Sequence, residues 1–287
     1  MNRKAFSLIE ISVVLIIISF IITIIVGAKS LISNANITRA ISVTKNFMIS
    51  EEFNRTNIGL WFETSMPNSF NYSSDNSDNI EIWKSLSISF NGSFHEASQV
   101  LSKWQPKYKK NVINGLPGIK FDGSNDFLLI SNGKIYSKNP HTIFVVIKPD
   151  KTSSTRSFLA FNIKDTDNSN TECYFLNGST GRIVHDDGDS TLFNGNDLKG
   201  RNSIISLVLT NSNISLYING QFIETVLNSL KSADSLSIGQ EYDKNLSRGN
   251  FWDGYIGEIM IYDKALSDTE RSVVEAYLLK KWKILNE

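Results

Sequence analysis

Hydrophobic positions along the chain fall into two regimes. From Ile11 to Ala28 no side chain is charged and most are Ile or Val. As a helix this run spans about 27 Å at roughly 1.5 Å per residue, close to the hydrocarbon thickness of a bilayer. Arg3 and Lys4 precede it, so the positive-inside rule keeps the chain start in the cytoplasm. Beyond Lys29 the pattern becomes amphipathic, with Leu31, Ile37, Ile41, Phe47 and Met48 recurring at helical intervals. The first proline is Pro67, so one helix is expected from about Phe6 past Glu52. Gly27 sits where the apolar half ends and either loosens the helix or packs closely against a neighbour. The turn-rich "PNSFNYSSDNSDN" that follows reads as a loop or linker.

From about residue 58 the period changes. "GIKFDG", "DFLLIS", "HTIFVVIKP", "SFLAFNI", "ECYFLNG", "RIVH", "SIISLVLT", "ISLYING", "SLSIGQE" and "YIGEIMIYD" are short β-rich runs bounded by turn residues. Many such strands with little helix between them predict an antiparallel sandwich or jelly roll. "ISLYINGQFIET" reads as a hairpin turning at Asn219-Gly220, the dipeptide of type I′ turns. At the end, Ser267-x-x-Glu270 is a capping box that opens a helix. Val274, Leu278 and Trp282 form one apolar stripe on it, expected to seal the sandwich. The fold class is therefore α+β: a long N-terminal hydrophobic helix, an antiparallel β-sandwich and a short C-terminal helix.

Composition adds two constraints. Lys+Arg and Asp+Glu are both 29, so the basic excess that nucleic-acid binding draws on is absent, and no nucleic-acid partner is expected. The single Cys173 excludes an intramolecular disulfide, which leaves core packing to hold the head together.

Glu10 separates the readings of the N-terminus. A carboxylate at the edge of an apolar helix costs a few kcal/mol unless paired, so an ordinary anchor gains nothing from it. The stretch Ala5-Phe6-Ser7-Leu8-Ile9-Glu10 closely resembles the processing signal of type IV pilins and type II secretion pseudopilins. The resemblance implies cleavage by prepilin peptidase between Ala5 and Phe6, N-methylation of Phe6, and pairing of Glu10 with the new amine of another subunit. The family usually has Gly where this chain has Ala5.

A second resemblance lies in "NGLPGIKFDGSNDFLLI", "LYINGQ" and "YIGEIMIYDKALSDTERSVVEAYLLKKW". These segments look like the concanavalin A-like, laminin-G-type jelly rolls of bacterial surface proteins. "GLWFET" and "IEIWKSLS" stand where that family has its first strand and a Trp-containing segment. The family's Trp-Lys-Asp-x-Ser-Gly loop is replaced by Trp83-Lys84-Ser85-Leu86-Ser87. The implied organisation is a leader (1–5), a pilin-type helix (6–55), a linker with the first strand (56–80) and a lectin-like domain (81–287).

Candidate chemistry in the head is sparse. A glycosidase needs two carboxylates across the scissile bond. Glu258 and Asp263 flank "IMIY" at an odd spacing that sends them to opposite strand faces, and they read as a solvated strand residue and a turn residue. His95, His141 and His185 are scattered, and Cys173 reads as a packed thiol within an apolar strand. No catalytic residues and no enzyme activity are expected. Asp186, Asp187 and Asp189 around Gly188 are the candidate calcium ligands, the alternative being a solvated turn; Asp165, Asp167 and Glu172 share a second acidic loop. No other cofactor is implied. For sugar binding, Tyr242, Asp243, Asn250 and Trp252 form the best candidate loop, with core packing the alternative for the aromatics.

The expectation is a pilin-like or pseudopilin-like subunit of the inner membrane that enters a pilus or secretion filament. It displays its head for adhesion or for contact with glycans or surface proteins. Its expected partners are prepilin peptidase and other pilin subunits. A membrane-anchored carbohydrate-binding protein that never assembles is the runner-up, followed by a secreted glycosidase.

Overall fold

A computed structural model of the chain describes residues 8–50, 58–72, 78–88, 94–130, 136–137, 139–151, 153–162, 172–186, 190–228, 230, 232–233, 235–242 and 248–285. One helix, α1 (Leu8–Ile49), forms the N-terminal element. Three hydroxyls of its apolar half are satisfied internally: Ser12 donates to Ile9 O (2.9 Å), Ser19 to Leu15 O (2.8 Å) and Thr23 to Ser19 O (2.8 Å). These bonds leave the three hydroxyl donors paired on an otherwise apolar surface. The helix runs unbroken through Gly27, where an added Cβ would meet nothing within 4 Å, so this glycine packs against no part of the same chain. Toward the C-terminal end, Ser33, Ala40, Thr44 and Phe47 become buried, spaced on one helical stripe.

Two antiparallel sheets follow. The first runs Gln221–Leu227, Asn213–Ile218, Ser203–Leu209, His141–Pro149, Asp253–Tyr262. The long strand Asp253–Tyr262 is shared on its far side. Its first half pairs with Leu116–Asp122 and its second with Ile58–Glu63, bringing Glu258 opposite Glu63. Lys107–Ile113 completes that edge. The second sheet runs Ser190–Leu192, Ile183–Asp186, Glu172–Leu176, Arg156–Asn162, Ser235–Ile238, Leu128–Ile130, Phe94–Ser98, Ile80–Ile88, Phe70–Tyr72. One pairing, Phe62 with Ser85, links the two sheets. The Asn219-Gly220 turn has φ of 52° and 81°, both positive as type I′ geometry requires.

The strand "HTIFVVIKP" shows why its apolar run is continuous rather than alternating. Ile143, Val145 and Ile147 enter the core between the sheets, with Trp83, Phe158 and Trp252. Phe144 and Val146 enter a second core on the outer face of the first sheet. That second core is covered by α1, through Ala40 and Phe47, and by the C-terminal helix α2 (Asp268–Trp282), through Val274, Tyr277, Leu278 and Trp282. The stripe on α2 thus covers a sheet face beside α1 instead of sealing the sandwich, because both faces of the central strands are apolar. The capping box of α2 is present: Ser267 Oγ accepts from Glu270 N (3.4 Å), and Glu270 Oε2 accepts from Ser267 N (2.9 Å). Hydrogen bonds from Lys264 and Ser267 lower the Glu270 carboxyl to about 2.

Candidate functional site at the helix-head junction

Where α1 meets the head, polar groups fix its position. The Arg39 guanidinium donates to Lys280 O (3.1 Å) and Lys281 O (2.7 Å), two carbonyls left open in the last turn of α2. Phe47 stacks on Tyr277 at 4.1 Å and 11°, and Trp61 meets both rings edge-on. Lys283 Nζ donates to Asn36 Oδ1 (2.9 Å).

Beneath these rings lies a buried charge cluster. Glu63, Glu258 and Lys281 have no exposed surface. Lys281 Nζ lies 2.5 Å from Glu63 Oε1 and 2.8 Å from Glu258 Oε2. Glu258 also accepts from Trp61 Nε1 (2.7 Å), Tyr277 OH (2.7 Å) and Trp282 Nε1 (2.8 Å). Glu63 accepts from Ser65 N (2.8 Å) and Met66 N (2.6 Å), and from the Ser65 hydroxyl. Because the Tyr277 proton goes to Glu258, the Tyr277 oxygen is left to accept from Thr44 Oγ1 (3.1 Å) on α1. Burial, then the charges of Glu258 and Glu63, push the Tyr277 phenol well above its ordinary range. Gly257 makes the arrangement feasible: a Cβ there would lie 2.5 Å from the Trp282 ring, so only glycine lets the indole lie against the strand. Glu258 is therefore not a solvated strand residue. Its neighbours on the sheet and both helices enclose it, and the cluster acts as an internal joint between α1, α2 and two strands.

The other residues marked by the sequence are scattered. Glu10 stands in the first turn of α1 and is exposed on the head's own chain. Ala5 and Phe6 lie outside the described residues. Trp252 is fully buried and meets Phe158 edge-on, so it offers no ring face to a sugar; the aromatic belongs to the core. Asn250 is exposed at φ 47° and donates to Glu241 Oε2 (2.5 Å). The Tyr242 side chain and Asp243 lie outside the described residues. Asp186 accepts from Ser190 Oγ (2.5 Å), while Asp187, Asp189, Asp165 and Asp167 lie outside the described residues. Glu172 is buried and accepts from Tyr174 OH, with His141 Nε2 at 3.9 Å. His185 packs on Tyr174 at 5.4 Å, while His141 packs on Phe161 at 5.5 Å. His95 is half-buried, which lowers its pKa. Cys173 is buried with Ala160, Phe175 and Val184. Among the described residues no three His, Cys, Asp or Glu side chains form a metal-sized group.

One titratable residue gave no sequence signal. Asp126 is 6% exposed and accepts from Asp122 N (3.0 Å). Burial, and then the nearby Asp122 charge, raise its carboxyl to about 7. A carboxyl raised on folding binds its proton more tightly in the folded state. The contribution of Asp126 to stability is therefore most favourable at low pH and falls as pH rises from the unfolded carboxyl value toward about 7. Asp126→Asn, which keeps an acceptor for Asp122 N, is expected to stabilise the head by about 2 kcal/mol at pH 8 and hardly at all at pH 4. Chemical denaturation at the two pH values reads this directly; equal effects at both would contradict it.

Comparison with known proteins agrees with this architecture. Residues 122–270, just over half of the chain, match the family model described as the concanavalin A-like lectin/glucanases superfamily. A Trypanosoma rangeli sialidase bound to sialic acid superposes with a TM-score of 0.55 at 12% identity, covering 78% of this chain and 33% of that one. A Limulus polyphemus SAP-like pentraxin gives 0.46 at 18% identity, covering 55% of this chain and 81% of that one. The chain thus spans about a third of the sialidase's length. No curated protein matches the sequence. On the family match and the two-sheet sandwich together, the chain belongs to the concanavalin A-like lectin/glucanases superfamily.

Proposed function

We propose that this protein is a pilin-like or pseudopilin-like subunit that carries a lectin-like head on a membrane helix. The observation that supports it is the division of α1. Its best 18-residue window has a mean hydropathy of 3.0 and none of it is buried, while the same helix ends locked into the head. An apolar rod rigidly joined to a folded head can leave a bilayer and pack with copies of itself without changing the head. In this reading prepilin peptidase cuts between Ala5 and Phe6, and Glu10 of one subunit neutralises the Phe6 amine of the next, where low dielectric strengthens the attraction. The head is displayed for contact with glycans or surface proteins. Mass spectrometry of the protein extracted from its own cells should show a chain that begins at N-methylated Phe6. Retention of residues 1–5 would refute processing. It would favour the second reading, a membrane-anchored carbohydrate-binding protein that never assembles.

A further inference from the structure

We propose that the head binds acidic polysaccharide in a basic, amide-lined groove on either side of Arg201, a site that deepens the proposed role of the displayed head. Two neighbouring cavities of about 550 and 620 Å³ share Arg201 as a wall. The segment between them feeds side chains to both in alternation: Asn196, Leu198 and Asn202 line the first, Asp197 and Lys199 the second.

The chemistry of the lining is unusual for a chain of zero net charge. Lys283 joins Arg201 in the first cavity, and Lys151 and Lys199 join it in the second; among the described lining residues Asp197 is the one carboxylate. Two of these cations donate to neutral oxygens, and Lys199 also forms an ion pair with Asp197. Lys199 Nζ donates to Gly178 O (3.0 Å) and Ser179 O (3.3 Å), with Asp197 more distant at 3.7 Å, and Lys283 Nζ donates to Asn36 Oδ1. Asn114, Asn219 and Gln221 add amides to the first cavity. There Asn202 Nδ2 donates to Asn114 Oδ1 (2.7 Å), while Asn202 Oδ1 is a buried atom with no hydrogen-bond partner. A hydroxyl donor from a ligand would satisfy that acceptor.

The platform is also fixed before any ligand arrives. Glu224 holds Asn194 through its N–H and its amide (both 2.9 Å), Leu198 N donates to Gly181 O (2.9 Å) and Gly200 N donates to Pro149 O (2.8 Å). A site ordered in advance loses little entropy on binding. No aromatic residue lines either cavity among the described residues. Base stacking therefore has no platform, which favours polysaccharide over single-stranded nucleic acid. Neutral sugars lose their usual aromatic contact as well, so affinity must come from anionic groups on the cations and hydroxyls on the amides.

The test uses the full-length chain in lipid nanodiscs, with binding of polygalacturonate, dextran sulfate, neutral dextran and an oligo-dT measured by interferometry. Binding of either acidic polysaccharide, weakened by salt and absent for dextran, is expected; which of the two binds identifies carboxylate or sulfate as the recognised group. Arg201→Ala and Asn202→Asp should each weaken it at least about tenfold. Arg201→Lys, which keeps the charge, should retain part of it and guards against a folding defect, which a thermal melt also monitors. Binding of neither polymer, oligo-dT binding as tightly as the polysaccharides, or unchanged affinity in folded variants would each overturn the proposal. Polysaccharide binding, together with residues 1–5 retained in protein extracted from its own cells, would refute the filament reading and leave this one standing.

Discussion

Lys281→Met is expected to lower the stability of the head by about 3–5 kcal/mol, a large share of the roughly 5–15 kcal/mol available to a folded domain. The native cluster holds two carboxylates and one ammonium with no exposed surface. Glu258 accepts from two indoles and a phenol besides Lys281. Removing the ammonium leaves Glu63 and Glu258 facing one another across paired strands, with no cation between them. Two like charges in a fully buried site are far costlier than either alone. Adding Glu63→Gln to Lys281→Met removes one of them, so the double variant should recover at least half of the loss. Urea denaturation in detergent, followed by tryptophan fluorescence, measures all three variants. A single variant within about 1 kcal/mol of the native chain would show that the cluster contributes little.

Glu10→Ala should act on a different property. The residue lies in the first turn of α1, 23 residues before the first buried position of that helix at Ser33. Folding of the head and its amount in the membrane should therefore stay unchanged. Under the proposed function, incorporation into filaments should fall by at least about 100-fold. Loss of a single ion pair in a low-dielectric bundle is worth that much or more. Glu10→Gln should fall nearly as far, because the amide keeps the shape and loses the charge. Immunoblots of sheared filaments against membrane fractions give the ratio. Native-level filaments from Glu10→Ala would rule out the pairing, and the apolar helix would then be read as an anchor.

The two variants probe opposite ends of one helix, and those ends were not equally legible. The apolar run, the charges that flank it and Glu10 are local features. Burial in lipid is a property of the segment itself, so the sequence suffices to read it. The strands were legible for a related reason. "HTIFVVIKP" and "SIISLVLT" can bury themselves only in a sheet, and the Asn-Gly turn specifies its own backbone. The capping box is equally local, since its partners lie three residues apart.

Glu258 shows where local reading stops. In sequence it is an acid within an apolar strand, and solvation is the simplest expectation for it. Its burial depends on Glu63, Lys281 and three aromatic donors, whose separations reach 218 residues for Glu63 and Lys281. Trp252 fails in the other direction: it follows a loop-like stretch rich in polar residues, yet Phe158 and the inner sheet faces enclose it. The groove beside Arg201 was likewise invisible, because Asn114, Asn202 and Lys283 come together only when the sheet edge meets the end of α2. The sequence alone determined which segments are apolar, where the chain turns and which helix can enter a membrane. Tertiary structure decided which charges are sealed inside, which aromatics face the core and which cations share a surface. The reason is physical: hydrophobic period and turn geometry depend on neighbours in sequence, whereas the cost of a charge or the exposure of a ring is set by atoms brought from far along the chain.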